Sequence, residues 1–222
     1  MAKVITIEQR ILKRNSEVAA ENRRLFDGSG VFVVSLASSP GSGKTSLLEK
    51  ALAQLKGEVA VAVIEGDVQT DNDARRIEAL GVPVVQIVTN GTCHLDAQMV
   101  QSALQHVEFG KVELLFVENV GNLVCPASYD LGEHLRVVLS STTEGEDKPL
   151  KYPAMFRRSD ALVLNKVDLL PYLQYDLNEA RKMAVQVNPA LEIFETSCTT
   201  GAGIGDFCRW IVNRMGEATS AA

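Results

Sequence analysis

Histidine and tryptophan are scarce in this chain, three and one among 222 residues, and aromatic residues together make up only 5%. With four tyrosines and a formal charge of −6, there is neither a base-stacking surface nor a basic footprint, so nucleic acid is not an expected partner. No apolar run approaches the roughly 18 residues of a membrane span. The N-terminal stretch MAKVITIEQRILKRNSEVAAENRRLF scatters charge through its apolar positions and lacks the core of a signal peptide. A cytoplasmic location without membrane contact is therefore expected. Reducing conditions there argue against structural disulfides, so Cys93, Cys125, Cys198 and Cys208 read as core fillers, metal ligands or reactive thiols. Internal repeats, low-complexity tracts and convincing linkers are also missing.

What is present is a 46% apolar chain of single-domain length. Apolar runs of strand length recur at 31–37, 59–67, 82–88, 112–119, 135–140 and 160–168. Most are apolar on successive rather than alternate residues, as strands covered on both faces require. The stretches between them, such as KTSLLEKALAQL and HLDAQMVQSALQHV, carry helical spacing, and several open on Asp, Asn or Gly. This alternation predicts an α/β fold with a mostly parallel central sheet and helices on both faces. Residues 1–30 are expected to form a helical segment packed on a domain of residues 31–222. The polar run at 140–153 is expected to be a mobile surface loop, with Glu144, Glu146 and Asp147 solvated.

SSPGSGKTS, residues 38–46, follows a strand and opens a helix, the setting of a phosphate-binding loop. Gly41 and Gly43 let the backbone N–H groups approach phosphate, with Ser42 between them. Lys44 supplies charge to the β and γ phosphates, Thr45 offers its hydroxyl to Mg²⁺, and Ser46 adds a phosphate contact. Ser38 stands where the usual pattern has glycine, so the start of the loop is expected to differ. NKVD, Asn165 to Asp168, ends a later strand where ligand loops of a parallel sheet gather. The Asp168 carboxylate can accept from the two adjacent donors of guanine, and adenine offers no matching pair. Asn165 is expected to tie loops together and Lys166 to lay its stem on the base. In TSCTTG, Ser197 or Cys198 could supply a backbone N–H to the guanine oxygen.

GTCHLD sets a thiol beside an imidazole, Cys93 next to His94. Such ligands suit zinc or nickel. The plainer alternative is a small buried cysteine and a histidine near a helix start. His106, His134, Cys198 and Cys208 are expected to be packed or solvated side chains.

The segments SSPGSGKTSLL, EGDVQTDNDARRI, GTCHLDAQMV, ENVGNLVCPASYDLGE, EGEDKPLKYPAMF and NKVDLLPY together resemble the HypB family, nickel-incorporation GTPases of hydrogenase maturation in the SIMIBI branch of P-loop NTPases. The resemblance covers nearly the whole chain, and the Ser38 departure is usual in the family. It implies that Asp67 acts in the Mg²⁺ and switch region, that Glu118 and Gly121 lie beside the γ-phosphate, and that Cys93, His94 and Cys125 bind Ni²⁺ or Zn²⁺. Three ligands leave a tetrahedral site open for exchange. Lys44, Asp67 and Glu118 would then form the catalytic set, with GTP/GDP and Mg²⁺ as cofactors. The partners implied are a nucleotide-dependent homodimer, hydrogenase-maturation proteins and the hydrogenase large subunit.

Some relatives carry an N-terminal CxxCGC site or a histidine-rich arm; neither occurs here, so N-terminal metal storage is not expected. Thr199 stands where many GTPases have lysine. A urease or cobalamin-mutase client is an alternative, disfavoured for urease because Ala127 follows Cys125-Pro126. A small-molecule kinase and a non-catalytic nucleotide-gated module are readings from other classes. No glutamine or arginine finger is evident, so slow hydrolysis is expected.

Overall fold

A computed structural model describes residues 7–221; the N-terminal expectation for residues 1–6 lies outside the described residues. Seven strands form one sheet: β1 (Phe32–Ser38), β2 (Val61–Asp67), β3 (Val84–Val88), β4 (Leu114–Glu118), β5 (Leu135–Ser141), β6 (Ala161–Asn165) and β7 (Glu192–Glu195), in the spatial order β3-β2-β4-β1-β5-β6-β7. Every pairing is parallel. β1 therefore sits mid-sheet, and the strand order reverses around it, where a doubly wound sheet takes its ligand.

Alternate residues of each run serve opposite faces. Val34 and Leu36 of β1, Phe116 of β4 and Val137 of β5 meet α2 (Lys44–Leu55) and α8 (Ile204–Ala221) on one side. On the other side Val33, Ile64 and Leu115 pack with Phe26 of α1 (Ile7–Ser29) and Val100 of α4 (Ala97–Leu104). Farther along that second face, Val138 and Leu162 pack with α6 (Pro153–Arg157) and α7 (Leu177–Val187). Double coverage explains the continuous apolar runs: Phe32–Ser38 and Leu135–Ser141 are buried at every residue.

Polar side chains tie α1 to the rest of the chain. Asn15 Oδ1 accepts from Ala97 N–H at 2.8 Å, Asn22 donates to Ala97 O and Leu131 O, and Arg23 donates to Gly132 O. The Asp96 side chain caps α4 by accepting from Met99 N–H, a contact of about 1 kcal/mol.

Two expectations need correction. β7 escapes the sequence reading because EIFE is short and bracketed by glutamates at a sheet edge. Residues 140–153 are not a solvated loop: β5 runs through Ser141, and α5 (Lys148–Lys151) follows after a short turn. Glu144, Glu146 and Asp147 are each half-buried. Glu144 accepts from Ser42 Oγ at 2.6 Å and pairs with Lys148 at 2.9 Å. A carboxylate that finds a hydroxyl and an ammonium can leave water, which composition alone does not reveal.

Candidate functional site

The loops after β1, β2, β3, β4, β5, β6 and β7 all lie at the strands' C-terminal edge. After β1, Gly43 takes φ +97° just before α2 begins, so Lys44 and Thr45 stand in the helix's first turn. Gly43 also leaves room for a neighbour, because a Cβ there would fall 2.6 Å from Asn165 Nδ2. Asn165 donates to Ser42 O at 3.0 Å and accepts from Thr196 Oγ1 at 3.1 Å, joining the phosphate loop to the loop after β7. Lys166, at φ +63°, donates to Gly41 O at 2.7 Å. Asp168 and Cys198 are half-buried neighbours, and burial raises the Cys198 thiol. The Ser197 N–H already donates to Ala202 O at 3.0 Å, which leaves Cys198 as the N–H of the named pair. Ser46 accepts from Arg76 at 3.2 Å. Ser38 is fully buried, and its hydroxyl turns back to Ser39 O.

Beneath the phosphate loop lies an acidic niche. Thr45 Oγ1 donates to Glu118 Oε1 at 2.8 Å, and Lys44 Nζ stands 3.8 Å from the same oxygen. Glu65 faces Glu118 because the β2–β4 register pairs the two residues, and Asp73 of α3 (Asn72–Glu78) completes a cluster whose ligand atoms lie within 4.8 Å of one another. Burial, then the charge of Glu118, pushes the Glu65 carboxyl up to about 11. Burial also raises Glu118, against the pull of Lys44. Glu65 Oε2 and Glu118 Oε2 are buried without a protein partner. Orphaned carboxylate oxygens beside a hydroxyl suit a hard cation such as Mg²⁺. Asp67 sits outside this cluster and caps its own loop, accepting from Gln69 N–H and Thr70 N–H. Burial works to raise it, yet those N–H groups hold it below the usual range, aided by nearby Lys44.

The second cluster joins Cys93 and His94, after β3, to Cys125, after β4. Their ligand atoms lie within 4.8 Å of one another, and the two sulfurs are 3.3 Å apart. Cys93 is exposed, while Cys125 and His94 are half-buried. The His94 ring packs on Tyr129 with centroids 4.1 Å apart, and its Nδ1 is buried without a protein partner. Burial lowers the His94 pKa, favouring the neutral, ligating form. The hydrogen bond its S–H shares with the Cys93 sulfur, then burial, raises the Cys125 thiol. Cys208 is buried in the core, and His134 is stacked on Phe32.

Residues 32–195 match the family described as the CobW/HypB/UreG nucleotide-binding domain. The hydrogenase maturation factor HypB of Azotobacter vinelandii is 52% identical over 220 residues, 99% of this chain and 73% of its relative. This chain belongs to the HypB family. The structure of HypB from Helicobacter pylori in complex with nickel superposes on this HypB-family chain with a TM-score of 0.88 at 36% identity, covering 92% of this chain and 96% of that one. HypB from Archaeoglobus fulgidus gives 0.86 at 36% identity, covering 91% and 99%.

Sequence reasoning on this HypB-family chain missed Glu65 and Glu144. The only local signal for Glu65 was a carboxylate inside an apolar run of β2, and its pairing with Glu118 depends on strand order. Glu144 carried no signal distinct from its polar surroundings.

Proposed function

We propose that this chain is a GTP-hydrolysing metallochaperone that delivers nickel during hydrogenase maturation, with nucleotide state controlling dimerisation and metal release. The observation that carries this reading is the convergence of Cys93, His94 and Cys125 on loops continuous with the phosphate loop's floor: Cys125 lies seven residues after Glu118. The nickel complex of the Helicobacter pylori relative supports the cargo.

In this reading Gly41, Ser42, Gly43 and Ser46 cradle the phosphates, Lys44 stabilises charge on the transferring phosphoryl group, and Asp168 selects guanine with Asn165, Lys166, Ser197 and Cys198 shaping the base loop. Ser197 would act through loop shape, since its N–H is already engaged. Thr45, Glu118 and Asp67 would hold Mg²⁺, with Glu65 beside them; the ion when bound neutralises charge on the phosphate oxygens. Hydrolysis forms a bond from water oxygen to the γ-phosphorus and breaks the bond to the GDP oxygen, the proton of water passing to the released phosphate. Cys93, His94 and Cys125 bind Ni²⁺, or Zn²⁺ in its place, and leave a coordination position open through which a maturation protein or the hydrogenase large subunit takes the ion. Val124, 62% exposed beside Cys125, and Tyr172, 83% exposed after the base loop, are apolar surface for such contacts or for the homodimer.

Linkage makes the test reciprocal: if nucleotide alters nickel affinity, nickel alters nucleotide affinity by the same factor. Titration of Ni²⁺ into the GDP and GTP-analogue forms is expected to differ by about 5-fold or more, and Cys93→Ala or Cys125→Ala removes both the metal and the difference. Equal affinity in every nucleotide state, or nickel retained with both cysteines replaced, defeats the proposal.

A further inference from the structure

One short stretch of chain connects the phosphate loop to the thiols, and three of its residues hold it. Asn119 N–H donates to Leu36 O of β1 at 2.9 Å, and its Oδ1 accepts at 2.9 Å from the N–H of Leu95, the residue after His94. Gly121 lies against the phosphate loop itself: a Cβ there would fall 3.1 Å from Pro40 Cα and Pro40 N. Glycine alone lets these two backbones touch without displacement. Asn122 then reaches both thiol loops, donating from Nδ2 to Cys93 O at 3.2 Å and accepting at Oδ1 from Val124 N–H at 2.9 Å.

Close-packed contacts transmit displacement instead of absorbing it. Pro40 is exposed at the entry of the phosphate loop, outside its buried hydrogen-bonded residues, and any displacement of Pro40 toward Gly121 carries Gly121 with it. The neighbouring amide bridge turns that shift into a change in the relation of Cys93 to Cys125, whose sulfurs stand 3.3 Å apart. Metal–thiolate bonds near 2.3 Å tolerate only about ±0.2 Å, so a few tenths of an ångström is a large perturbation.

We propose that Asn122 is a positioning residue that couples the phosphate loop to the metal ligands, bridging Cys93 O and Val124 N–H beside a Gly121 seated on Pro40. The proposal rests on the metallochaperone reading and deepens it, since Asn122 is neither a proposed metal ligand nor a phosphate contact. A prop that merely shapes the 122–125 turn would need only the Oδ1 arm.

Asn122→Asp separates the two roles. It keeps the acceptor for Val124 N–H and nearly the same volume, but loses the donor to Cys93 O and to the Cys125 sulfur and brings a negative charge, for which the neutral Asn122→Ala is the control. Wild type, Asn122→Asp and Asn122→Ala are titrated as full chains with Ni²⁺ alone, in the GDP and GTP-analogue forms, by calorimetry and by the thiolate-to-nickel absorption band. Against a wild-type affinity ratio of about 5-fold to 150-fold, the ratio is expected to fall to within about 2-fold in both variants, with the absorption band, stoichiometry and GTP affinity retained. A wild-type ratio preserved in Asn122→Asp overturns the role of Asn122 and leaves the metallochaperone reading standing. Nickel lost from Asn122→Asp in both nucleotide states also overturns it, because Asn122 would then only support the site. A wild type with no ratio at all removes the parent reading, and this inference with it.

Discussion

The nucleotide end and the thiol end share one edge of the sheet but are built differently. Ser42, Thr45, Glu118 and Asn165 are at most 7% exposed and held by hydrogen bonds, Thr45 to Glu118 and Asn165 to both Ser42 and Thr196. Cys93 is exposed, Cys125 is half-buried, and the turn between β4 and Cys125 is held chiefly through Asn119 and Asn122. A triphosphate is best served by donors already in place, which cost no reorganisation as charge develops. In the proposed reading a cargo ion leaves, so its ligands would need access and loops able to change spacing. Stored polarity sits at the rigid end, in the Glu65–Glu118 pair, and adaptability at the other.

If these regions are separate machines linked by a short lever, Lys44→Ala has the largest effect and confines it to one end. Phosphate release is expected to fall about 100-fold to 1000-fold, while calorimetry of the nucleotide-free protein shows nickel binding unchanged. Loss of nickel with the fold intact would merge the two ends into one site. Next in size is Asp168→Asn, which weakens GTP by about 1.5–3 kcal/mol, roughly tenfold to over a hundredfold. Xanthosine triphosphate, with an acceptor where guanine has a donor, is expected to gain. Equal affinity of the wild type for GTP and ATP would remove the preformed base pocket from the comparison.

The smallest effect tests whether the rigid end stores unfavourable charge. Glu65 is pushed up to about 11 by burial and by Glu118, against an ordinary value of 4.5. Between those values the folded chain binds more protons than the unfolded one, so this group's contribution to stability falls as pH rises through that window. Glu65→Gln removes the titration. The ligand-free variant is expected to be about 1–2 kcal/mol more stable near neutral pH, with a flatter pH dependence of the denaturant midpoint. An unchanged slope would show that the buried pair does not hold that proton.

Local pattern makes much of this legible in the sequence. Apolar runs without alternation already specify strands buried on both faces, and GSGKTS after such a run specifies a phosphate loop, because both depend on neighbours in sequence. Asn165 and Asp168 could be placed at a ligand edge for the same reason. What escaped lies between elements distant in sequence. EIFE became β7 only because β6 offered an edge, and Glu144 left the solvent only because Ser42 and Lys148 were waiting for it.

The sequence by itself therefore determined the elements, the phosphate loop, and which residue types could hold a metal. The tertiary structure alone decided the company they keep. β3 and β4 flank β2, so the loops carrying Cys93 and Cys125 close over the same strand end, and the register of β2 against β4 sets two glutamates side by side. Spacing along a chain encodes periodicity; strand order and register come from burying both sheet faces at once, a global condition that no short segment contains.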